Sequence, residues 1–423
     1  MVVVTLARMS NALQPKRTVD ELKDLRALTS DADGAQRVAF TPMWSTTRSW
    51  FTKKLAQLPI ETHADAAGNL WSTLRGESSK ELLIGGHMDS VPNGGWLDGC
   101  LNVLAGLEIL RRINTQFNGK PPITIRLVDW ADEEGARFGK SLFGSSACAG
   151  SLDMDEARVL TDKDGITLSA ALKNVGIDFE RVKDSHVELK NAAAYMELHI
   201  EQGPVLLDKN LALGTVLGTY GVERHAITFH GQAAHSGSTP MNRRRDAFLA
   251  AARMGQEIYA ITEKFGGVCT IGSCTTKPNI VTSVVQDCRI TLDQRHLDPT
   301  ALANMLRAAR EASEKFAREG NVSVHWDRLW EIEPIPFHPQ LLDLCDAAIT
   351  ETTGTQFRLP SGPLHDAASM AQISIPTIMM FVQSLHGISH NKIEDTLEEH
   401  IQASVVAFDA LADKIMKWIV AAK

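Results

Sequence analysis

The sequence predicts an α/β fold, a mixed sheet covered by helices, with a smaller β-α-β-β-α-β unit inserted into it. Two observations support this prediction. Strand-like and helical segments alternate in the first half of the chain, and the section 215–328 follows a different order. A chain of 423 residues is long enough for two or three domains with a substantial core.

Hydrophobic periodicity defines the elements of the larger part. Apolar residues at helical spacing predict helices, and short apolar or alternating runs predict strands. In chain order these are a helix at 44–58, a turn at 66–69, a strand at 82–84, a helix at 103–113, strands at 123–128 and 195–200, and late helices at 341–352 and 397–419. This order predicts helices packed against a sheet.

The inserted section has its own pattern. It predicts a strand at 216–231, a helix at 246–265, strands at 267–274 and 283–295, a helix at 299–319 and a strand at 322–326. This is the order of a ferredoxin-like split unit. We therefore expect three chain segments: 1–213, the insertion 214–329, and 330–423.

Composition narrows the class of ligand. The chain has 43 basic and 51 acidic residues, a net charge of −8, and no basic run longer than Arg243-Arg244-Arg245. Nucleic-acid and anionic-membrane binding usually require a clustered positive field, so neither is expected. A small-molecule substrate is the better expectation.

The chain shows no export or membrane signal. Val2-Val3-Val4 is too short for the apolar part of a signal peptide, and no run of ~18 apolar residues occurs. The six scattered cysteines are those of a reduced protein rather than a disulfide framework. We expect a cytoplasmic protein.

Five short segments place a metal-type ligand or an acid next to a strand-like run or a glycine turn, the places where open α/β sheets bind ligands. Each segment alone also fits a surface loop, a glycine turn or a half-exposed strand. The segments are Gly86-His87-Met88-Asp89-Ser90, Gly94-Gly95-Trp96-Leu97-Asp98-Gly99, Asp129-Trp130-Ala131-Asp132-Glu133-Glu134-Gly135, Met196-Glu197-Leu198-His199-Ile200-Glu201-Gln202-Gly203 and Gly387-Ile388-Ser389-His390-Asn391.

Together the segments supply three imidazoles and several carboxylates. This mixture suits Zn²⁺, Mn²⁺, Co²⁺ or Ni²⁺ rather than a thiolate site. Glu133 and Glu134 are adjacent, so their side chains diverge and can take different roles, one binding metal and the other accepting a proton. A two-metal hydrolase is one function that fits this set.

The order of these motifs, with Gly231-Gln232-Ala233-Ala234-His235-Ser236-Gly237-Ser238-Thr239-Pro240-Met241, resembles the dinuclear metal amidohydrolases of the hydantoinase/carbamoylase family. This branch contains N-carbamoyl-L-amino-acid hydrolases, allantoate amidohydrolases and β-ureidopropionases, and is related to aminoacylases and metal-dependent carboxypeptidases. The resemblance covers nearly the whole chain. Its most specific parts are the segments 199–204 and 234–241.

The resemblance implies two divalent metal ions per subunit (Zn, Mn, Co or Ni) and a role for each motif residue. His87, Asp98 and His199 resemble the ligands of one metal, and Asp98, Glu134 and His390 those of the other. Glu133 resembles the general base that acts on the water between the metals. Asp89 resembles the residue that orients His87.

The resemblance also implies a shared site. The inserted segment corresponds to a lid and dimerisation domain, so a homodimer is expected, with segments 1–213 and 330–423 forming the catalytic domain. His235 resembles the residue that reaches a neighbouring subunit's site to stabilise the oxyanion. Arg295 matches the arginine that binds a substrate carboxylate. Gln202, Asn279, Thr282 and Gly362 lie at substrate-binding positions.

Four positions depart from the family pattern. Thr282 replaces the second asparagine of Pro-Asn-x-x-Asn, Asn102 a usual glycine, and His386 the glycine before Gly387, while Pro363-Leu364 replaces two small residues. All four lie in or near pocket motifs, whereas every metal-ligand position is kept. The expectation is retained hydrolytic chemistry on an altered substrate.

The implied reaction is hydrolysis of a linear amide C–N bond in an N-carbamoyl-L-amino acid, giving the amino acid, CO₂ and ammonia. Allantoate is the first alternative substrate, and an N-acyl amino acid or dipeptide the second. A catalytically dead homologue that only binds a ligand is the non-enzymatic alternative. The six intact residues at metal and base positions argue against it.

Overall fold

The structure, a computed structural model, describes residues 13–422, so the opening Val2-Val3-Val4 run lies outside the described residues. The chain divides into two units. The larger unit comprises residues 13–217 and 337–422, and the inserted unit is Gly218–Pro336.

The first part of the chain alternates strands and helices, as the periodicity predicts. Its elements are α1 (Pro15–Thr29), β1 (Ser30–Asp31), β2 (Gly34–Ala35), α2 (Pro42–Leu55), β3 (Glu61–Ala64), β4 (Leu70–Leu74), β5 (Ser78–His87), α3 (Cys100–Gln116), β6 (Ile123–Trp130), α4 (Phe143–Ala149), α5 (Met154–Arg158), α6 (Leu168–Asn174), a 3₁₀ helix (Phe179–Leu189), β7 (Ala192–Ile200), α7 (Val205–Asp208) and β8 (Leu213–Thr219).

The inserted unit and the last part of the chain follow. The inserted unit contains β9 (Gly221–His230), a 3₁₀ turn (Met241–Arg243), α8 (Ala247–Phe265), β10 (Val268–Lys277), β11 (Asp287–His296), α9 (Pro299–Glu319) and β12 (Ser323–Ile332). The two-residue strand β13 (Ile335–Pro336) stands at its end and pairs with β8. The last part contains α10 (Pro339–Thr353), β14 (Arg358–Ser361), α11 (Asp366–Gln372), β15 (Thr377–Val382), a 3₁₀ turn (Leu385–Gly387) and α12 (Glu398–Ala421).

A mixed sheet forms the centre of the larger unit, which confirms the predicted fold class. Its strand order is β13-β8-β15-β7-β5-β6-β4-β3, with β14 beside β8. The central strands β15, β7, β5 and β6 pair in parallel, and the flanking strands pair antiparallel. The central strands are almost fully buried, including polar residues such as Thr124 and Arg126 of β6 that made this strand look half-exposed in the sequence.

Helices cover this sheet and bury one large apolar core. Helices α3 and α12 contact the central strands and each other, and α1 and α10 pack against them. Helix α3 begins at Cys100, directly after Gly99, so its first turn lies beside the end of β5. The start of α3 is therefore placed near the carboxyl ends of the parallel strands.

The inserted unit has the predicted order of strands and helices. Its four strands form an antiparallel sheet in the order β10-β11-β9-β12, and α8 and α9 contact that sheet. Asp246 caps α8 and Asp298 caps α9, each accepting bonds from backbone N–H groups of the first turn. The boundaries of this unit are 218 and 336, where the sequence analysis placed 214 and 329.

One predicted element is wrong. The single strand expected at 216–231 is two strands, because β8 pairs with β15 while β9 pairs with β11 and β12. Gly218 has φ +145°, and a Cβ there would lie 2.4 Å from the carbonyl oxygen of Ile335. Gly218 and Gly221 flank this break, but glycines also occur within strands, as Gly85 and Gly86 do in β5, so the pattern did not reveal it. The last strand is also longer than predicted, running to Ile332 along β9.

The cysteines and the helices bear on the expectations of a reduced protein and of a chain without a membrane span. All six cysteines are free thiols. Within the described part of the chain, none of the helices has both the length and the apolar character needed to span a membrane.

A buried hydrogen-bond chain links two strands of the central sheet, β6 and β7. Tyr195 is fully buried; its hydroxyl donates to Glu197 Oε2 (2.7 Å) and accepts from Trp130 Nε1 (3.1 Å). Tyr195→Phe removes this hydroxyl, which takes the bond from Trp130 Nε1 and one of two bonds from Glu197 Oε2; that oxygen still accepts the backbone N–H of Ala367. We expect a loss of about 2–3 kcal/mol in the free energy of unfolding, measured with urea on metal-free protein. Tyr259→Phe, at a position 71% exposed, is the control and should change nothing; equal stability of the two variants would contradict the prediction.

Candidate active site

The predicted ligands of the larger unit meet at one edge of its central sheet. His87 is the last residue of β5, and His199 lies one residue before the end of β7. Glu133 and Glu134 follow β6 after Asp132, a residue with φ +56°. Because β5, β6 and β7 are parallel, their carboxyl ends share an edge, which is where such sheets bind ligands.

Asp98 reaches this edge because the residue after it has no side chain. Gly99 has φ +65°, and a Cβ there would lie 2.4 Å from both Cε1 and the carbonyl oxygen of His87. The loop can therefore press against His87 only with glycine at this position. Asp98 Oδ1 then lies 3.6 Å from His87 Nε2 and 3.1 Å from His199 Nε2.

The second oxygen of Asp98 faces a different pair of side chains. Asp98 Oδ2 lies 3.4 Å from His390 Nε2, and that nitrogen lies 3.2 Å from Glu134 Oε2. Two groups thus form, His87–Asp98–His199 and Asp98–Glu134–His390, and within each the ligand atoms lie within 4.8 Å of one another. Gln202 Nε2 also donates to Asp98 Oδ2 (2.9 Å).

The chemistry of these groups fits divalent cations. Over residues 13–422, no hydrogen-bond partner is found for His87 Nε2, His199 Nε2 or Glu134 Oε1, although all three atoms are buried. Burying polar atoms without partners is costly, and one cation in each group would satisfy the two imidazole nitrogens and the Glu134 carboxylate. Imidazole nitrogens with carboxylate oxygens are the ligands of Zn²⁺ and similar borderline ions.

Asp89 supports both glutamates and lies close to His87. Asp89 Oδ1 and Oδ2 accept the backbone N–H groups of Glu133 and Glu134, each at 3.3 Å. Its carboxylate is 3.6 Å from His87 Nδ1, while its carbonyl oxygen is nearer, at 3.2 Å. The Asp89 backbone and side chain together therefore surround one nitrogen of the His87 ring and fix the turn that carries the glutamates.

Glu133 projects into the same space but belongs to neither ligand group. Its Oε2 is 3.7 Å from His87 Nε2, and its Oε1 is 4.0 Å from His365 Nδ1. The His365 ring packs against the His199 ring, with centroids 4.3 Å apart. A carboxylate that lies beside the ligands without joining them is free to take part in proton transfer.

The buried carboxyl groups perturb one another. Burial, the charge of Asp366 and the charge of Glu134 raise the pKa of Glu133 well above its ordinary value, against the opposing effect of His87. Burial and the charge of Asp98 raise the pKa of Glu134 to about 7.

Asp98 behaves in the opposite way. Burial acts to raise its pKa, but His199, His390 and His87 hold that pKa well below the usual range. The hydrogen bond to Asp98 in turn raises the pKa of His390 to about 9. Asp98 is therefore ionised, while neighbouring carboxyl groups resist ionisation as long as no cation balances them.

Two predicted residues of the inserted unit lie beside each other in a loop. His235 Nδ1 accepts the backbone N–H groups of Gly237 (3.1 Å) and Ser238 (3.2 Å), so the ring proton is on Nε2. The carbonyl oxygen of Thr282 accepts the N–H of Ser236 (2.9 Å). The departure at Thr282 is thus next to the His235 loop.

Arg295 lies on β11 and is oriented by an acid. Its Nε donates to Asp293 Oδ1 (2.8 Å), while Arg224 Nε and Nη2 donate to Asp293 Oδ2 (2.9 and 2.7 Å). Asn279 follows β10 with φ +57°. In the larger unit, Gly362 follows β14, and an added Cβ there would have no heavy atom within 4 Å.

Asn102, a departure from the family pattern, contacts the frame of the site. It is fully buried, and its Oδ1 accepts the backbone N–H of Leu198 (2.9 Å), next to His199. A Cβ on Gly86 would lie 2.4 Å from Asn102 Nδ2. Asn102 therefore supports the backbone of β7 and packs against β5, and these are the contacts that it makes near the site. His386 has φ +60°, a conformation that glycine adopts more easily.

Three residues at the site were missed as functional candidates: His365, Ser389 and Glu394. Ser389 stands inside the segment Gly387–Asn391, and His365 directly follows Pro363-Leu364, but neither was given a role. Glu394 was missed because two of its three partners, the backbone N–H groups of Leu97 and Asp98, lie almost 300 residues earlier in the chain.

Comparisons with known proteins agree with this geometry. A family profile described as Peptidase family M20/M25/M40 matches residues 83–414. An N-carbamoyl-L-amino acid amidohydrolase from Geobacillus stearothermophilus is 34% identical over 369 residues, covering 86% of this chain and 90% of that protein. An allantoate amidohydrolase from Escherichia coli is 33% identical over 373 residues, covering 86% and 89%.

Solved structures show the same fold. The crystal structure of an amidase of the hydantoinase/carbamoylase family from Burkholderia multivorans has a TM-score of 0.85 at 30% identity, and the match covers 95% of this chain and 98% of that one. The resemblance found in the motifs is confirmed at the level of the family. The chain belongs to Peptidase family M20/M25/M40, whose enzymes are metal-dependent, and it is an amidohydrolase that acts on carbon–nitrogen bonds.

Proposed function

We propose that the enzyme hydrolyses the linear amide C–N bond of an N-carbamoyl-L-amino acid, releasing the amino acid, CO₂ and ammonia. The observation that carries this proposal is the position of Asp98 between two ligand groups, with Glu133 beside them but outside both. The relative from Geobacillus named for this activity supports the substrate class.

The two groups are the proposed sites of two divalent cations. His87, Asp98 and His199 would hold one, and Asp98, Glu134 and His390 the other. When bound, such cations polarise a carbonyl group and lower the pKa of water. Zn²⁺, Mn²⁺, Co²⁺ and Ni²⁺ all suit these ligands.

Glu133 is the proposed general base. Its carboxylate accepts a proton from the attacking water and delivers it to the leaving nitrogen. Its raised pKa brings it closer to the working pH, which favours both halves of this transfer. Asp89 holds the Glu133 backbone, so the carboxylate keeps its position while the proton moves.

Substrate binding is assigned to residues of both units. Arg295, held by Asp293, would bind the substrate carboxylate through its guanidinium. His235 carries its proton on Nε2 and would donate it to the developing oxyanion in the site of a second subunit of a homodimer. Asn279 and Thr282 in the inserted unit, and Gln202 and Gly362 in the larger unit, are further proposed substrate-binding residues.

Allantoate is the alternative substrate, since the allantoate amidohydrolase from Escherichia coli is almost as similar as the carbamoylase. Allantoate presents more polar groups than an N-carbamoyl amino acid. Thr282 has a shorter side chain than the asparagine usual at that position, so it offers fewer contacts to such a substrate. This difference favours the carbamoyl substrate.

A substrate panel tests the proposal. Purified enzyme loaded with Mn²⁺, Zn²⁺, Co²⁺ or Ni²⁺ is assayed for ammonia release from N-carbamoyl-L-amino acids, allantoate and β-ureidopropionate, and for amino-acid release from N-acetyl amino acids. We expect the highest kcat/KM with an N-carbamoyl-L-amino acid. A preference for allantoate or for an N-acetyl substrate would move the assignment to that substrate. Cation binding without any turnover would favour a ligand-binding homologue.

Glu133→Gln separates proton transfer from metal binding. We expect kcat to fall about 10²–10⁴-fold, because the amide cannot accept the proton. Metal content should stay equal to that of the wild type, because Glu133 is in neither ligand group. The variant is measured by turnover and by elemental analysis of the same sample. Loss of metal in parallel with activity would show that Glu133 is a ligand instead.

Glu134→Gln tests whether cations balance the buried carboxyl groups. The pKa of Glu134 is about 7 in the folded protein and 4.5 in an unfolded chain, so its stabilising contribution is complete below pH 4.5 and is lost as pH rises through 7. In metal-free protein, the variant should therefore gain stability relative to the wild type between pH 4.5 and 8. With added Zn²⁺ or Mn²⁺, the wild type should instead be the more stable of the two at pH 8, because Glu134 is a proposed ligand.

Melting temperatures across this pH range provide the measurement. Glu399→Gln, at an exposed position of α12, is the matched control and should follow the wild type at every pH. An unchanged order of wild type and Glu134→Gln after metal addition would contradict the assignment of Glu134 to a cation.

A further inference from the structure

Glu394 lies in the loop between the 3₁₀ turn Leu385–Gly387 and α12, and its side chain is almost completely buried. Three hydrogen bonds end on its carboxylate. Oε1 accepts the backbone N–H groups of Leu97 (3.0 Å) and Asp98 (3.1 Å), and Oε2 accepts the hydroxyl of Ser389 (2.7 Å). One side chain therefore joins two loops that are almost 300 residues apart in sequence.

These two loops carry ligands of the same proposed cation. Asp98 belongs to the loop before α3, and His390 follows Ser389 directly in the other loop. We infer that Glu394 is a positioning residue that fixes Asp98 and His390 relative to each other for the second ligand group, an inference that rests on the proposed function. Glu394 itself lies in neither ligand group.

The surrounding backbone is shaped for this carboxylate. A Cβ on Gly95 would lie 2.0 Å from Cδ and Oε1 of Glu394, so the loop passes directly against the carboxyl group. Gly95 thus makes room for the Glu394 carboxyl group. This close packing indicates a specific place for one carboxylate rather than a chance contact.

The second ligand group depends on such a link more than the first. His87 and His199 belong to β5 and β7, where the sheet ladder fixes their backbones. Asp98 and His390 are in loops, and His390 has φ +54°. Ser389 Oγ is also 3.0 Å from Asp98 Oδ2, so the link contacts the side chain of Asp98 as well as its backbone.

Two substitutions separate the geometry of the link from its charge. Glu394→Gln removes the charge but keeps the length: its amide oxygen can accept both N–H groups, and its NH₂ can donate to Ser389 Oγ. The Ser389 hydroxyl is then free to donate to Asp98 Oδ2. Glu394→Asp keeps the charge but is one methylene shorter, so it cannot reach both loops.

Two measurements on the full-length protein read out the link. Hydrogen exchange of metal-free protein follows the Leu97 and Asp98 amides, which donate directly to Glu394. Competition with a chelator gives the affinity of each bound Zn²⁺. Thermal unfolding confirms that each variant is folded, and Glu399→Asp, at an exposed position, is the control for the shortened side chain.

We expect Glu394→Asp to speed exchange of the two amides at least about tenfold and to weaken one of the two Zn²⁺ ions by about 10–100-fold, the usual effect of losing a residue that orients a ligand. For Glu394→Gln, the amide exchange rates and the Zn²⁺ affinities should both stay within about threefold of the wild-type values, a much smaller change than the loss of an orienting residue causes. Greater damage from Gln than from Asp would overturn the inference in favour of a charge effect. Faster amide exchange with both affinities unchanged would also overturn it.

The outcome for the wild type is separate. Two Zn²⁺ ions in the wild type, with no difference among the variants, would refute the role of Glu394 and leave the proposed function standing. Fewer than two ions in the wild type would refute the dinuclear site itself, and the role of Glu394 with it, whatever the exchange rates show.

Discussion

The position of Asp98, with one oxygen beside His87 and His199 and the other beside His390, is the constraint on which the rest of the site depends. The loop that carries it can approach His87 only because Gly99 has no side chain and adopts a positive φ. The two histidines of the first group are fixed by the ladder of parallel strands, whereas the loop that carries Asp98 closes over Glu394. Short glycine-containing loops on a rigid sheet are a suitable way to place one carboxylate between two sites.

The cost of this arrangement is electrostatic. Carboxyl groups gather in a nearly water-free space, and burial raises the pKa of most of them. Buried charges of one sign are stable only when opposite charges balance them, and the nearby histidines do this only for Asp98. Two divalent cations would supply the missing positive charge. Metal binding, stability and catalysis are therefore linked through the same side chains.

Sequence patterns predicted the mixed sheet, the inserted unit and the residues of both ligand groups. Local sequence marked His87, His199 and Glu134 only as candidates, because each segment also fits a surface loop or a half-exposed strand; their division into two ligand groups came from the resemblance to the family. Glu394 could not be predicted, because only tertiary folding brings it to Asp98. The break between β8 and β9 was missed because the glycines that flank it, Gly218 and Gly221, also fit the interior of a strand; only the pairing shows that the two strands belong to different sheets. Asn102 was expected near the pocket, but it bonds to the backbone of β7.

The central claim is that Asp98 bridges two cations. Anomalous X-ray diffraction from crystals of the Zn²⁺-loaded enzyme, collected on both sides of the zinc edge, tests it most directly. We predict two anomalous peaks per chain, one beside Asp98 Oδ1 with His87 and His199, and one beside Asp98 Oδ2 with Glu134 and His390. A single peak, or two peaks that do not share Asp98, would contradict the account.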